Sequence, residues 1–425
     1  MPSECDNGHQ SSSLNNVQSK TFTLETGNHR NSSARQELFW SSNKVTLTGV
    51  GTACRIPLQP LEEIKTKSEL LGEINFINRG NRDLLPGEGP CAFVAFPFDP
   101  KQQTDLIVPR ILLGEHASGQ RWVTFTSETD RSYKDIMEEI RQEFSVVDSE
   151  PIPEISIDSP IEPEVWRDEK LSAVKDLIDA GKVKKVVLAR ELVLTANKEI
   201  PVNTVLGKLR ERNKSSMIFN VDGFIGASPE LLVSRFGNSV RANPLAGTTT
   251  RYSDGNADKK SRQELLDSTK DAYEHKVTIE WLLNELLPFC SFVDADPEPK
   301  IVSLPHVHHL GTEVNGQLSQ PAASILELVS ALHPTPAVAG DPQKEAIEII
   351  KNIEGIDRKR YAGPVGWVDS SGNGEFAVGI RSAEIKARQA HLYAGVGLVA
   401  DSNPQSELDE TTSKFKTMLS TFLDL

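Results

Sequence analysis

The chain has 425 residues, 38% of them hydrophobic and 25% charged, with a formal net charge of −14 and a pI near 5.2. Such proportions belong to a soluble globular protein long enough for one large core or for two to three ordinary domains. The acidic balance argues against a nucleic-acid or anionic-membrane partner, and no window approaches the roughly eighteen apolar residues of a membrane helix.

Residues 1–35 are rich in Ser, Asn and Gln, which suggests a disordered leader. The opening MPSECDNGHQSSSLNN has neither a basic nor an apolar signal region, so no secretory signal is expected. Cys5, Cys54, Cys91 and Cys290 stand far apart without a CxxC pair, which points to reduced cysteines in the cytoplasm rather than a disulfide frame or zinc site. Residues 39–58 are strand-like, a helix is expected across 61–78, and 91–100 reads as a strand. Segments 105–114 and 121–126 form a hairpin pattern, and 131–144 has helical periodicity. The Pro- and acid-rich stretch 146–164 reads as a linker or a surface excursion within one domain.

The second half is denser. An amphipathic helix over 165–180 is closed by Gly181, followed by a strand at 184–194, a helix at 202–212 and a strand at 215–221. Turn-and-strand text follows at 226–233 and 243–251, then one long helix over 261–287. A helix runs through about 352, and a hairpin over 362–385 turns at Ser371–Gly374. The strand beginning at His391 is broken by Gly395 and Gly397, and the chain becomes helical after Pro404. Hairpins punctuated by single helices imply a layered α+β fold with large antiparallel sheets, not a Rossmann alternation. One domain over 36–425 is expected, with an N-terminal subdomain at 36–150 and a core at 165–425.

Several residues could carry chemistry. On the last helix Glu407, Glu410 and Lys414 share one face; a carboxylate pair beside a lysine could hold a hard cation and an anion, or form a solvated face with a Glu410–Lys414 pair. Asp271 and Glu274 repeat the i, i+3 spacing, so two acidic helices could face one another across Mg²⁺, which prefers oxygen ligands. His275, with no second His at helical spacing, fits a hydrogen-bonding role better than a metal ligand. In KVVLAR, Lys185, Val187 and Ala189 share one strand face, and Val186, Leu188 and Arg190 the other. Burial among apolar groups favours a neutral amine, the form of a general base; the alternative is a surface lysine, a part that Lys184 fills. Glu230 sits at the lip of a buried strand, as a general acid or a solvated strand end. Arg381, on an apolar strand, needs an anionic partner, either a ligand carboxylate or an internal Asp or Glu. There is no Walker sequence, no GxGxxG after a strand and no GxSxG.

The motifs KVVLAR, GASPELL, NPLAGTTTR, LLDSTKDAYEH, HLGT, HPTPAVAG, RKRYAGPVGW, VGIRSAE, YAGVGLV and ELDETTSK run in order through residues 165–425. With them the chain resembles the chorismate-utilising enzymes of the isochorismate synthase family. The resemblance implies the chorismate-binding fold shared with anthranilate synthase component I, and Mg²⁺-dependent chemistry on chorismate. By similarity Lys185 activates the water that adds at C2, and Glu230 protonates the departing C4 hydroxyl. It further implies Glu274 and Glu410 as direct Mg²⁺ ligands, with Asp271 and Glu407 in the outer shell. Arg381, Tyr361, Gly395, Gly397 and Lys414 fall where the family holds substrate carboxylates, the two glycines through their backbone and Lys414 in place of a pairing with Glu410. Gly247, Thr248 and His309 line the same site.

Anthranilate synthases usually carry Gln at the position of Lys185, and aminodeoxychorismate synthases often place a lysine where this chain has Ala246. Both departures argue against ammonia as nucleophile and hence against a glutaminase partner. Salicylate synthases share the lysine and the glutamate, but HPTPAVAG looks more like isochorismate synthases. The resemblance also implies a monomer.

Overall fold

In a computed structural model, which describes residues 17–24, 36–64, 71–72, 74–78, 84–129, 131–143 and 150–423, strand alternation sorts apolar side chains to two buried faces. Along Cys91–Ala95, Cys91, Phe93 and Ala95 face one core while Ala92 and Val94 face another. The same split separates Trp367 from Val368 and Ala377 from Phe376, as a period of two requires.

Two curved layers result. The first runs Gln18–Leu24, Arg121–Ser127, Thr104–His116, Val45–Leu58, Leu38–Ser41, Met217–Val221, Phe224–Ser228, Ser382–Lys386, Gln389–Leu398 and Lys185–Ala196, every step antiparallel. The second branches from Thr104–His116 through Cys91–Ala95 and continues as Pro364–Asp369, Gly374–Val378, Leu231–Phe236, Ser239–Asn243, Val314–Leu318 and Cys290–Ala295. Between the layers lie Trp40, Leu47, Phe93, Trp122, Phe219, Phe224 and Trp367; truncating such a buried aromatic costs about 3–5 kcal/mol. Helices Val202–Arg212 and Pro404–Phe422 cover the outer face of the first layer. Helix Ile325–Leu332 covers the second. A separate antiparallel sheet, Leu245–Thr250, Val307–Gly311 and Lys300–Ser303, packs on helices Gly255–Asp267 and Thr269–Leu286. This is the layered, antiparallel α+β architecture that the hairpin pattern implied.

Four local expectations change. Within the span read as a leader, Gln18–Leu24 is a strand paired along its length with Arg121–Ser127, because Ser19 and Thr21 hydrogen-bond Thr126 and Thr124 across the ladder; the rest of 1–35 lies outside the described residues. Where the helix is expected over 61–78, the described residues instead show 3₁₀ turns at Leu61–Glu63 and at 71–72 and a strand, Asn75–Asn78, that joins Gln18–Thr21 in parallel. Within 146–164, Ile155–Asp158 pairs with Lys185–Ala196, so the sheet claims part of the apparent linker. The long helix over 261–287 is two helices. Ser268, at φ −71° and ψ 110°, ends the first and caps the second by accepting from the Asp271 amide, the usual part of an N-cap serine.

Candidate active site

Lys185 opens the strand Lys185–Ala196 and turns the same way as Val187, and both line a cavity of about 270 Å³. The adjacent strand Gln389–Leu398 sets Gly397 opposite Val187 and Gly395 opposite Ala189. Helix Pro404–Phe422 adds Glu407, Glu410 and Lys414 to the same wall, and helix Thr269–Leu286 adds Asp271 and Glu274. The small sheet supplies Gly247, Thr248 and His309, the turn before Leu231–Phe236 supplies Glu230, and Tyr361 and Arg381 close the ring. Every residue singled out in the sequence for a site therefore lines one cavity.

The cavity's two lysines are paired. Lys185 forms an ion pair with Glu274, so the lysine read as lying among apolar residues faces a carboxylate. Lys414 Nζ lies 2.6 Å from Glu410 Oε1 and donates to the Gly395 carbonyl at 2.9 Å. The Glu410–Lys414 pair is thus real, but it points into the cavity; its lysine holds Glu410 where the resemblance gave it to a ligand alone. Ser268 accepts from the Asp271 amide and donates to its carboxylate, fixing that side chain at the first turn of its helix. The break at Ser268 is what makes this possible.

Glu230 is buried, and burial pushes its carboxyl up to about 7, against the pull of the Leu245 amide, Arg381, Lys185 and Lys414. A carboxyl group in that range can give up a proton near neutral pH. His309 is driven well below the usual imidazole range by burial and then by Arg381 and Lys414, so it is neutral. Arg381 can only donate, so His309 Nε2 accepts from it at 3.3 Å, and the ring proton sits on Nδ1, 3.3 Å from the Gly247 carbonyl and 3.0 Å from Thr248 Oγ1. Among the described residues Arg381 makes no ion pair, and burial lowers its guanidinium from the usual range against the weaker opposing pull of Tyr361, Glu410 and Glu230. Its backbone sits in the left-handed region at φ 52°, a conformation that costs a non-glycine residue about 1 kcal/mol or more. Burial raises the Tyr361 hydroxyl, and its ring stacks on Tyr393 at 5.2 Å.

The two strand glycines make room for side chains. A Cβ at Gly397 would lie 2.7 Å from Lys185 Cε, and one at Gly395 would lie 3.0 Å from the Tyr361 hydroxyl. Gly247, at φ +78°, packs against Asp271, 3.1 Å from where its Cβ would be. Sequence reasoning passed over Arg358, Ala337, Val338 and Ile380, which also line the cavity. Arg358 opens the motif RKRYAGPVGW, and its i, i+4 spacing from Glu354 is the signal that the sequence offers.

The family model described as "chorismate binding enzyme" matches residues 7–423. The chain belongs to that family. It is 37% identical over 341 residues to isochorismate synthase DhbC of Bacillus subtilis, covering 78% of this chain and 80% of that one. It is 31% identical over 391 residues to the vibriobactin-specific isochorismate synthase of Vibrio cholerae, covering 91% of each. A solved structure titled as the putative 2,3-dihydroxybenzoate-specific isochorismate synthase DhbC of Bacillus anthracis superposes with a TM-score of 0.75 at 34% identity, over 91% of this chain and 96% of that one.

For a metal, this member of the family offers carboxylates on two helices that line one cavity, Asp271 and Glu274 on one and Glu407 and Glu410 on the other. Among the described residues no three Asp, Glu, His or Cys side chains converge into a closed cluster. An all-oxygen donor set of one or two carboxylates suits Mg²⁺, which keeps several waters and takes further oxygens from substrate.

Proposed function

We propose that this protein is an isochorismate synthase, an isomerase that converts chorismate to isochorismate. The observation that carries the proposal is that Lys185 and the buried carboxyl of Glu230, held near 7, line the same cavity as Arg381 and Lys414. Lys185, once freed from its ion pair with Glu274 and neutral, takes a proton from a water whose oxygen bonds to C2 of the ring. The double bonds shift, the C4–O bond breaks, and Glu230 gives its proton to the departing hydroxyl, which leaves as water. One water enters and one leaves, so product and substrate are isomers. Base and acid each end the turnover in the other's protonation state and reset through solvent.

Arg381 and Lys414 orient the substrate carboxylates, helped by Tyr361 and Thr248, while neutral His309 adds no charge and holds the Arg381 guanidinium in place. Mg²⁺, when bound, would be held by Glu274 and Glu410, with Asp271 and Glu407 on its waters, and would neutralise the ring carboxylate. With water as nucleophile no glutaminase partner is required, and we expect a cytoplasmic monomer; among the described residues no helix is long and apolar enough to cross a membrane. Incubation with chorismate and Mg²⁺, with products resolved by chromatography, tests the proposal. Isochorismate supports it, salicylate with pyruvate would reassign the chain to salicylate synthesis, and unchanged chorismate would overturn it.

A further inference from the structure

The strand that carries Lys185 is paired on one edge by Gln389–Leu398. On its other edge the strand Gly340–Asp341 reaches only Lys185 and Val186, and Ile155–Asp158 joins only beyond Leu192. The backbone between them is met by one further backbone carbonyl and by side chains. The Val187 amide donates to the Ala339 carbonyl at 2.8 Å, and the Val187 carbonyl accepts from Arg358 Nη2 at 2.7 Å. The Ala189 amide donates to Glu354 Oε2 at 2.7 Å, and the Ala189 carbonyl accepts from Trp166 Nε1 at 3.0 Å. Glu354 and Arg358 bind each other through two further hydrogen bonds, Nε to Oε1 at 2.7 Å and Nη2 to Oε2 at 2.5 Å. Arg358 Nη1 reaches the Val338 carbonyl at 2.9 Å in the facing cavity wall. The pair is 1% and 4% exposed.

We infer that the Glu354–Arg358 pair is a positioning device for the reaction: a buried substitute for a β-ladder rung that fixes the register of the Lys185 strand against the Ala337–Val338 wall. A donor at the Val187 carbonyl and an acceptor at the Ala189 amide are what a neighbouring antiparallel strand would present to this edge. Four of the five Arg358 N–H groups donate within the protein, so its guanidinium sets the wall. The planar fork matters, because a lysine cannot reach Glu354, Val187 and Val338 together. Lys185 lies two residues from Val187 on the same face, so a slip of this edge moves the base directly.

The inference rests on Lys185 as the base, and the test separates the two. Arg358→Lys and the charge-free double variant Glu354→Gln/Arg358→Met are compared with wild type and Lys185→Ala in steady-state turnover of chorismate, with folding checked by circular dichroism. Both clamp variants should lose 10- to 100-fold in kcat, with KM within about threefold of wild type. A folded clamp variant with kcat within twofold of wild type, or with its loss entirely in KM, overturns the inference. Lys185→Ala at full turnover would instead refute the base assignment. Amide exchange in the wild-type protein decides without any variant: the Ala189 amide should be protected like Leu392 and Ala394 on the opposite strand, and fast exchange there refutes the clamp.

Discussion

Gly397 offers a perturbation aimed at one catalytic atom. Its missing side chain leaves the space that the Lys185 side chain occupies, and the Cβ introduced by Gly397→Ala would fall 2.7 Å from Lys185 Cε. Ordinary carbon contacts lie near 3.5–4.0 Å, so the end of the lysine must retreat by about 1 Å. The lysine tip is flexible and Gly397 lies in ordinary strand backbone, paired with Val187, so the fold absorbs the change. Stability should hold or rise by up to about 1 kcal/mol, because alanine restricts the unfolded chain. A displacement of about 1 Å at a reacting group costs on the order of 10²-fold in rate, about 2.7 kcal/mol of barrier. The assay is kcat for isochorismate formation beside a thermal melt. Wild-type kcat in a folded Gly397→Ala protein would refute the placement of Lys185 as the base; so would a loss fully explained by unfolding.

Glu230→Gln should abolish turnover yet stabilise the protein at high pH. Burial raises the folded-state carboxyl to about 7 from 4.5, so the stability it contributes is whole below 4.5 and is lost as pH rises through about 7. The variant should therefore gain up to about 3 kcal/mol near pH 8.5 and nothing near pH 4, read by denaturant melts. In the wild type, kcat should fall as pH rises through about 7, because the proton that Glu230 donates is gone. Arg381→Met should raise KM for chorismate by about 10- to 100-fold with a smaller effect on kcat, the worth of a hydrogen bond to a charged group. Chelation should stop turnover and added Mg²⁺ restore it, and Glu410→Gln should raise the half-saturating Mg²⁺ concentration at least tenfold; turnover that persists in chelator would exclude a metal role for Glu274 and Glu410.

Patterns with a local cause were legible. Alternation in KVVLAR put Lys185 and Val187 on one face, and both line the cavity. Helix spacing put Glu407, Glu410 and Lys414 together, and Gly181 ends its helix at φ +69°. What could not be read depends on partners distant in the chain. Gln18–Leu24 is a strand because Arg121–Ser127 lies beside it. Ile325–Leu332 is only eight residues long, with Glu327 and Ser330 as its polar positions, too short for a helical period to stand out from a buried strand. Ser268 looks like any serine in a helical run until Asp271 needs its cap. The pairing of Lys185 with Glu274 joins residues 89 positions apart, and spacing rules reach only one or two helical turns.

Running the reaction in H₂¹⁸O probes the chemistry most directly. If Lys185 activates water for attack at C2 while Glu230 expels the C4 hydroxyl, each isochorismate formed must carry one ¹⁸O at its C2 hydroxyl, read by mass spectrometry. Unlabelled isochorismate would mean that the C4 oxygen itself migrates, and would contradict the roles assigned to both residues.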